Sequence, residues 1–203
     1  MARHSREYLG SPIVSHLPVI FVHSWIAAPG VFMNWMPALH EYYVTMLEDL
    51  YGSNSSLKLA FKCSVFTATT YNLGPHTACF LHKDFYNLSF GMCAITALGN
   101  FDPKKGGHLV LWECGMVIEF PPGASILIPS AAITHSNVKV RESENRYSFT
   151  QYTAGRLFRW VENGFRTSKD LLDSLSPEGL AEVKAKNAQR WRFRMSKIPI
   201  FFV

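Results

Sequence analysis

Cysteine is scarce and ungrouped in this chain. The 203 residues include Cys63, Cys79, Cys93 and Cys114, with no CxxC pair and no grouping at zinc-ligand spacing, which excludes a disulfide scaffold and a structural zinc site of the usual kind. All four lie in apolar, strand-like stretches, so reduced core thiols and an intracellular protein, nuclear or cytoplasmic, are expected. Long hydrophobic runs are also missing. The best candidate, PIVSHLPVIFVHSWIAAPG, is broken by His16, Pro18, His23 and Trp25 and is too short to span a bilayer. It follows the basic MARHSREYLG in the order of a secretory signal, with Ala27 and Ala28 where cleavage would fall. The lack of a disulfide framework argues against export, and residues 1–33 read as a leader of no defined structure. There is no internal repeat and no low-complexity tract. Charged residues make up only 17% against 48% hydrophobic and 14% aromatic, which excludes wholesale disorder and leaves ample material for a core.

What charge there is lies unevenly. Residues 1–155 carry ten Lys/Arg against ten Asp/Glu, and residues 156–203 carry ten against five, so the whole net charge of +5 sits in the last quarter. Such a basic end can bind nucleic acid, Arg190, Arg192 and Arg194 being the natural phosphate contacts, or can simply be the solvated face of a helix.

Residues 34–203 read as one domain. NWMPALHEYYVTMLEDLY places Leu39, Tyr43, Met46, Leu47 and Leu50 on one helical face, predicting a helix over 34–52 with Gly52 as its stop. From about 60 to 155 come FKCSVFTATTY, ACFLH, FGMCAITALG, GHLVLWE, MVIEF, ASILIPS, HSNVKV and RYSFTQYT. These are short β-rich runs separated by Gly/Pro breakers, and together they predict a sandwich or barrel. Over 168–195 the pattern returns to basic helix, with Ser176–Pro177 suited to a cap and first turn.

The chemistry sits in FLHKDFYN. On a strand, residues i and i+2 share a face, so His82 and Asp84 would point together, and Phe80, Leu81 and Phe85 suggest a strand at least half covered. A buried imidazole and carboxylate need partners, and a metal ion is one. His135, in PSAAITHSNV, supplies a third donor from a distant strand. Two histidines and a carboxylate with other positions open make the facial triad of non-haem Fe(II) oxygenases. Arg146 and Ser148 in RYSFTQYT again share a face. A guanidinium with a hydroxyl beside it can grip the far carboxylate of a dicarboxylate, and Tyr71 is a candidate for one more hydrogen bond. Bland readings stand beside each of these. His82 and Asp84 could be a structural pair, His108 could rival His135, Arg146 could pair with Glu144, Asn87 and Thr96 could line the pocket, and Trp112 and Trp160 are by default core.

HKD, THSN and RYS in this order on a β-rich core resemble the iron- and 2-oxoglutarate-dependent dioxygenases. The likeness runs from about Phe61 to Thr153, with GGHLVLWE and EFPPGASILIPS similar to their middle strands and tight turn. More narrowly, GMCAITALGNFDPKKGGHLVLWE and RYSFTQYTAGRLFRWVENGF resemble small fungal 2-oxoglutarate oxygenase-like proteins. These are distantly similar to prolyl hydroxylases and to the TET and J-binding-protein oxidases. The resemblance implies a double-stranded β-helix, a jelly-roll or cupin-like barrel with flanking helices. It implies Fe(II) on His82, Asp84 and His135, and 2-oxoglutarate as cosubstrate held by Arg146, Ser148 and Tyr71. It implies dioxygen as co-reactant and C–H hydroxylation of a substrate it does not assign, a methylated nucleobase, a protein or a small molecule. The other function class is a catalytically inactive jelly-roll that serves as a binding module.

Overall fold

The computed structural model describes residues 28–58, 61 and 64–198. Most of the expected leader, and Cys63, lie outside the described residues. The described residues begin with two helices, α1 (Ala28–Trp35) and α2 (Pro37–Ser53), where one was expected from residue 34. Pro37 sets the boundary. It occupies the first turn of α2, where its missing N–H costs nothing, and Met36 before it is pushed out of the helical region to φ −137°, ψ 58°. The buried face of α2 is Leu39, Tyr43, Met46 and Leu47, four of the five residues of the expected stripe; the fifth, Leu50, is only partly buried against it.

The residues before 34 correct the leader expectation where they are described. Phe32 on α1 is fully buried, edge-on to Tyr43 at 5.3 Å and stacked on Phe66 at 5.8 Å. Truncating such a ring leaves a cavity that its neighbours fill only in part. Phe32→Ala is expected to lower stability by about 3–5 kcal/mol, read from the midpoint of a urea titration. A loss under about 0.5 kcal/mol would place this residue outside the cooperative unit.

Among the described residues seven strands follow: β1 (Ala68–Asn72), β2 (Cys93–Asn100), β3 (Leu109–Leu111), β4 (Met116–Ile118), β5 (Ser125–Ile128), β6 (His135–Asn137) and β7 (Asn145–Tyr152). They form a four-stranded sheet in the order β1-β7-β2-β5 and a three-stranded sheet in the order β4-β3-β6, antiparallel throughout. The architecture is thus mainly antiparallel β with flanking helices. β2 is buried along its first five residues, and its alternation divides the core. Cys93, Ile95 and Ala97 pack with Leu109, Leu111 and Ile118 between the sheets. Ala94 packs with Phe32, Tyr43, Leu88 and Phe158 on the helical side.

The C-terminal part comprises α3 (Gly155–Glu162), α4 (Ser168–Asp173) and α5 (Pro177–Lys197). Ser176 caps α5 by accepting from Gly179 N at 3.3 Å, and α5 has no buried residue. Two side-chain expectations are corrected. Cys114 is exposed, because it stands in the tight turn Trp112–Gly115 closed by Gly115 N to Trp112 O. Trp160 is 39% exposed, because the apolar face of α3 is set by Phe158. No helix among the described residues is long and apolar enough to cross a membrane.

Candidate active site

His82 and Asp84 do not lie on a strand. Residues 77–90 make isolated bridges only, and the neighbours that suggested cover are exposed: Phe80 at 86%, Phe85 at 77% and Tyr86 at 77%. The segment is fixed by tethers from three other elements. Thr77 N donates to Arg146 O. Asn137 accepts from Cys79 N at 2.6 Å and donates to Thr77 O at 3.1 Å. His82 and His135 exchange backbone bonds in both directions, at 3.1 and 2.9 Å, and Asp84 N donates to Ser130 O at 2.9 Å. A backbone whose polar groups are paired one after another holds its side chains as firmly as a ladder would. Outside the backbone, Glu113 binds Lys83 Nζ at 2.8 Å and accepts from Thr134 N and Oγ1 at 2.7 and 2.6 Å. It therefore staples the residue between the first two donors to the residue before the third. Those bonds, Lys83's first, hold the Glu113 carboxyl down at about 2.

The three side chains converge. His82 Nε2 is 3.6 Å from Asp84 Oδ1, and His135 Nε2 is 3.9 Å from Asp84 Oδ2. One ligating atom from each lies within 4.8 Å of the others. The imidazoles are oriented alike. His82 Nδ1 contacts Phe80 O at 2.7 Å, and His135 Nδ1 contacts Ile133 O at 3.0 Å. A carbonyl only accepts, so Nδ1 carries the proton and, in the neutral ring, Nε2 turns its lone pair to the shared point. Burial pushes the His135 imidazole below its ordinary value, which favours that neutral form. Asn87 Nδ2 donates to Asp84 Oδ2 at 3.4 Å and to Ser130 Oγ at 3.1 Å, which fixes the carboxylate from behind. Two imidazole nitrogens and one carboxylate, without a thiolate, suit Fe(II) with positions left for outside ligands.

These donors open onto a cavity of about 500 Å³ between the sheets, and Arg146 and Ser148 line it with them. Arg146 is 2% exposed. Its Nη1 donates to Thr77 O at 3.2 Å, its Nε has no partner, and no carboxylate among the described residues pairs with it; Glu144 pairs with Arg141 instead. Burial lowers its basicity, yet a guanidinium stays charged in a protein. A buried cation without a counterion is costly, and an anionic ligand in the cavity would relieve it. The donor set and the orphaned Nε together fit a metal ion bound with a dicarboxylate.

Tyr71 is a correction. β1 pairs with β7 so that Asn72 faces Ser148 and Thr70 faces Thr150. These four line the cavity, while Tyr71 lies on the opposite face, 55% exposed and 5.0 Å from the Phe149 ring. Asn72, not Tyr71, stands on the cavity face beside Ser148, and its Nδ2 donates to Ser148 Oγ at 2.8 Å, which leaves the hydroxyl proton free to point into the cavity. Asn72→Ala is accordingly expected to raise the 2-oxoglutarate KM about 3- to 10-fold, the worth of one hydrogen bond. Tyr71→Phe should leave it unchanged; the reverse order in steady-state kinetics would contradict this placement. His108 is buried with Nδ1 unpartnered and is not part of the donor group. Asn87 lines the cavity, whereas Thr96 is bonded to Ser125 at 2.6 Å. Asn137, Glu113 and Asn72 escaped the sequence reading. Asn137 alone had a signal, standing two residues after His135 on the same strand face.

No family model matches the chain, and no curated protein matches it. Among solved structures it is similar to NgTET1 in complex with 5mC DNA, at 19% identity and a TM-score of 0.40, over 62% of this chain and 51% of that one. It is similar also to the collagen prolyl hydroxylase vCPH from Paramecium Bursaria Chlorella virus-1 in its 2OG complex, at 12% identity and a TM-score of 0.31, over 54% of this chain and 68% of that one. The chain spans about half the length of the NgTET1 structure.

Proposed function

We infer that the protein is an Fe(II)- and 2-oxoglutarate-dependent dioxygenase that hydroxylates a C–H bond. His82, Asp84 and His135 are the metal ligands, and Arg146 with Ser148 is the cosubstrate anchor. The observation that carries this reading is the pairing, in one cavity, of three convergent ligand atoms with a buried guanidinium whose Nε is unpartnered. Either alone has ordinary explanations. Together they match a ligand that must touch a metal with one end and a fixed cation with the other.

Fe(II) and 2-oxoglutarate, when bound, supply the oxidising chemistry: dioxygen is consumed, the cosubstrate leaves as succinate and carbon dioxide, and one oxygen atom enters the substrate C–H bond. The chain supplies position and surroundings. Arg146 gives the distal carboxylate parallel N–H donors, and Ser148, with its lone pair engaged by Asn72, adds an O–H donor. The Phe80 and Ile133 carbonyls hold the imidazole tautomers, and Asn87 keeps the Asp84 carboxylate turned inward. Ile95 and Leu109 give the cavity an apolar wall that limits water around the reacting groups. The substrate enters past the exposed Phe80, Phe85 and Tyr86.

The test is succinate formation when Fe(II), 2-oxoglutarate and air are added to the purified chain. Slow turnover without a prime substrate is expected. No succinate from protein that holds one iron per chain would favour the binding-module reading instead.

A further inference from the structure

Beside the candidate active site lies a second cavity of about 340 Å³. Phe85, Tyr86 and Asn87 line both, so the two spaces are separated only by the segment that follows Asp84. The second is basic: Arg156 and Arg159 reach it from α3 and Arg190 and Arg194 from α5, against one carboxylate, Glu162. That carboxylate is engaged by Tyr42 at 2.7 Å and by Arg190 at 3.6 Å. Arg156, Arg159 and Arg194 have no carboxylate partner among the described residues. Arg156 is held 5.8 Å over the Tyr86 ring and Arg194 5.6 Å over the Phe90 ring. Three guanidinium groups gathered without counterions make an anion site. Two rings that are 77% exposed at its border offer flat apolar faces that a purely ionic ligand would not need.

We propose that this groove binds a single-stranded nucleic acid, with phosphates on Arg156, Arg159 and Arg194 and a base stacked on Phe85 or Tyr86 at the entrance to the metal cavity. The chemistry selects that class. Phosphates alternate with planar rings along such a strand, as the guanidinium and aromatic groups do here. The bases of a duplex are stacked on one another and cannot cover Phe85 and Tyr86, and an acidic peptide has nothing planar to place there. The location is narrower than the basic tail as a whole. Arg192 does not line the groove, because α5 turns it away from Arg190 and Arg194. That a base is thereby delivered for oxidation rests on the dioxygenase reading; the binding itself does not.

The measurement is fluorescence polarisation of a labelled mixed-sequence DNA strand of about 12 nucleotides, within the usual site size, in EDTA so that metal plays no part. Three arginines on phosphates predict a slope of log K against log salt of about −2. Arg159→Glu should weaken binding at least about 10-fold and Tyr86→Ala about 5- to 150-fold, the range of one stacked base. Arg192→Glu should weaken it far less than Arg159→Glu. Unaltered thermal melting of each variant keeps folding out of the comparison. A duplex of the same sequence or a polyglutamate peptide that binds as tightly as the single strand overturns the proposal, and so does equal sensitivity to Arg192→Glu and Arg159→Glu. Succinate formation without strand binding would leave the dioxygenase reading standing and remove this one; strand binding without succinate formation would do the reverse.

Discussion

Asp84→Ala is expected to abolish stoichiometric Fe(II) uptake and to take 2-oxoglutarate turnover to background, the largest loss expected from any single substitution. Asp84 is the one carboxylate of the convergent group, and its two oxygens face the two imidazoles. Removing it leaves two neutral nitrogens for a doubly charged ion and takes away the one side chain of the group that offsets that charge. The fold should hardly notice. The Asp84 side chain is 32% exposed, and its backbone bond to Ser130 does not depend on the side chain, so the change in stability should stay within about 1 kcal/mol. Iron loss at unchanged melting temperature is therefore the signature. His135→Ala is a poorer probe because that ring is 5% exposed, and its removal would disturb packing and ligation together.

Arg146→Met should weaken 2-oxoglutarate binding by about 30- to several thousand-fold, the 2–5 kcal/mol cost of truncating one partner of a buried charge pair. The ligand-free protein should not be destabilised in proportion. The wild-type guanidinium is buried with Nε unpaired, so methionine removes a desolvation cost. It forfeits one hydrogen bond to Thr77 O, worth about 1 kcal/mol. A thermal scan separates the two effects. In the wild type, 2-oxoglutarate at 100 times its Kd is expected to raise stability by about 2.7 kcal/mol, and in Arg146→Met the same concentration should give under about 1 kcal/mol. Arg146→Lys should fall between them, because an ammonium offers a point charge without the two parallel donors. A variant that melts far below wild type yet still responds to 2-oxoglutarate would make Arg146 a structural residue.

The sequence carries the metal group further than it carries the surroundings. His82 and Asp84 two apart, His135 in a later strand, and Arg146 with Ser148 two apart could all be read locally, because spacing fixes which side chains can share a side. Seven of the eight β-rich runs are strands for the same reason, the alternation being set by cover on each face. ACFLH is the exception. Its apolar residues look like a buried strand, but it bonds only at Cys79, to Asn137, and at His82, to His135, both distant in sequence, and Phe80 and Leu81 are left exposed. Tyr71 fails for a related reason: alternation separates it from Thr70 and Asn72, but only the register with β7 decides which set meets Ser148. Phe32 is buried through Phe66 and Tyr43, contacts that no local pattern around residue 32 announces. The arginine groove is wholly tertiary, since α3 and α5 must both pack against α2 before Arg156, Arg159 and Arg194 line one groove.

On this reading one metal and one dicarboxylate share the cavity of His82, Asp84, His135 and Arg146. Anaerobic titration of Fe(II), with and without 2-oxoglutarate, is the decisive measurement in the wild type, Asp84→Ala and Arg146→Met. The expected result is one iron per wild-type chain, bound more tightly when 2-oxoglutarate is present. Asp84→Ala should hold none, and Arg146→Met should hold iron without the added tightness. Equal iron binding by wild type and Asp84→Ala, or an affinity indifferent to 2-oxoglutarate in the wild type, would contradict it.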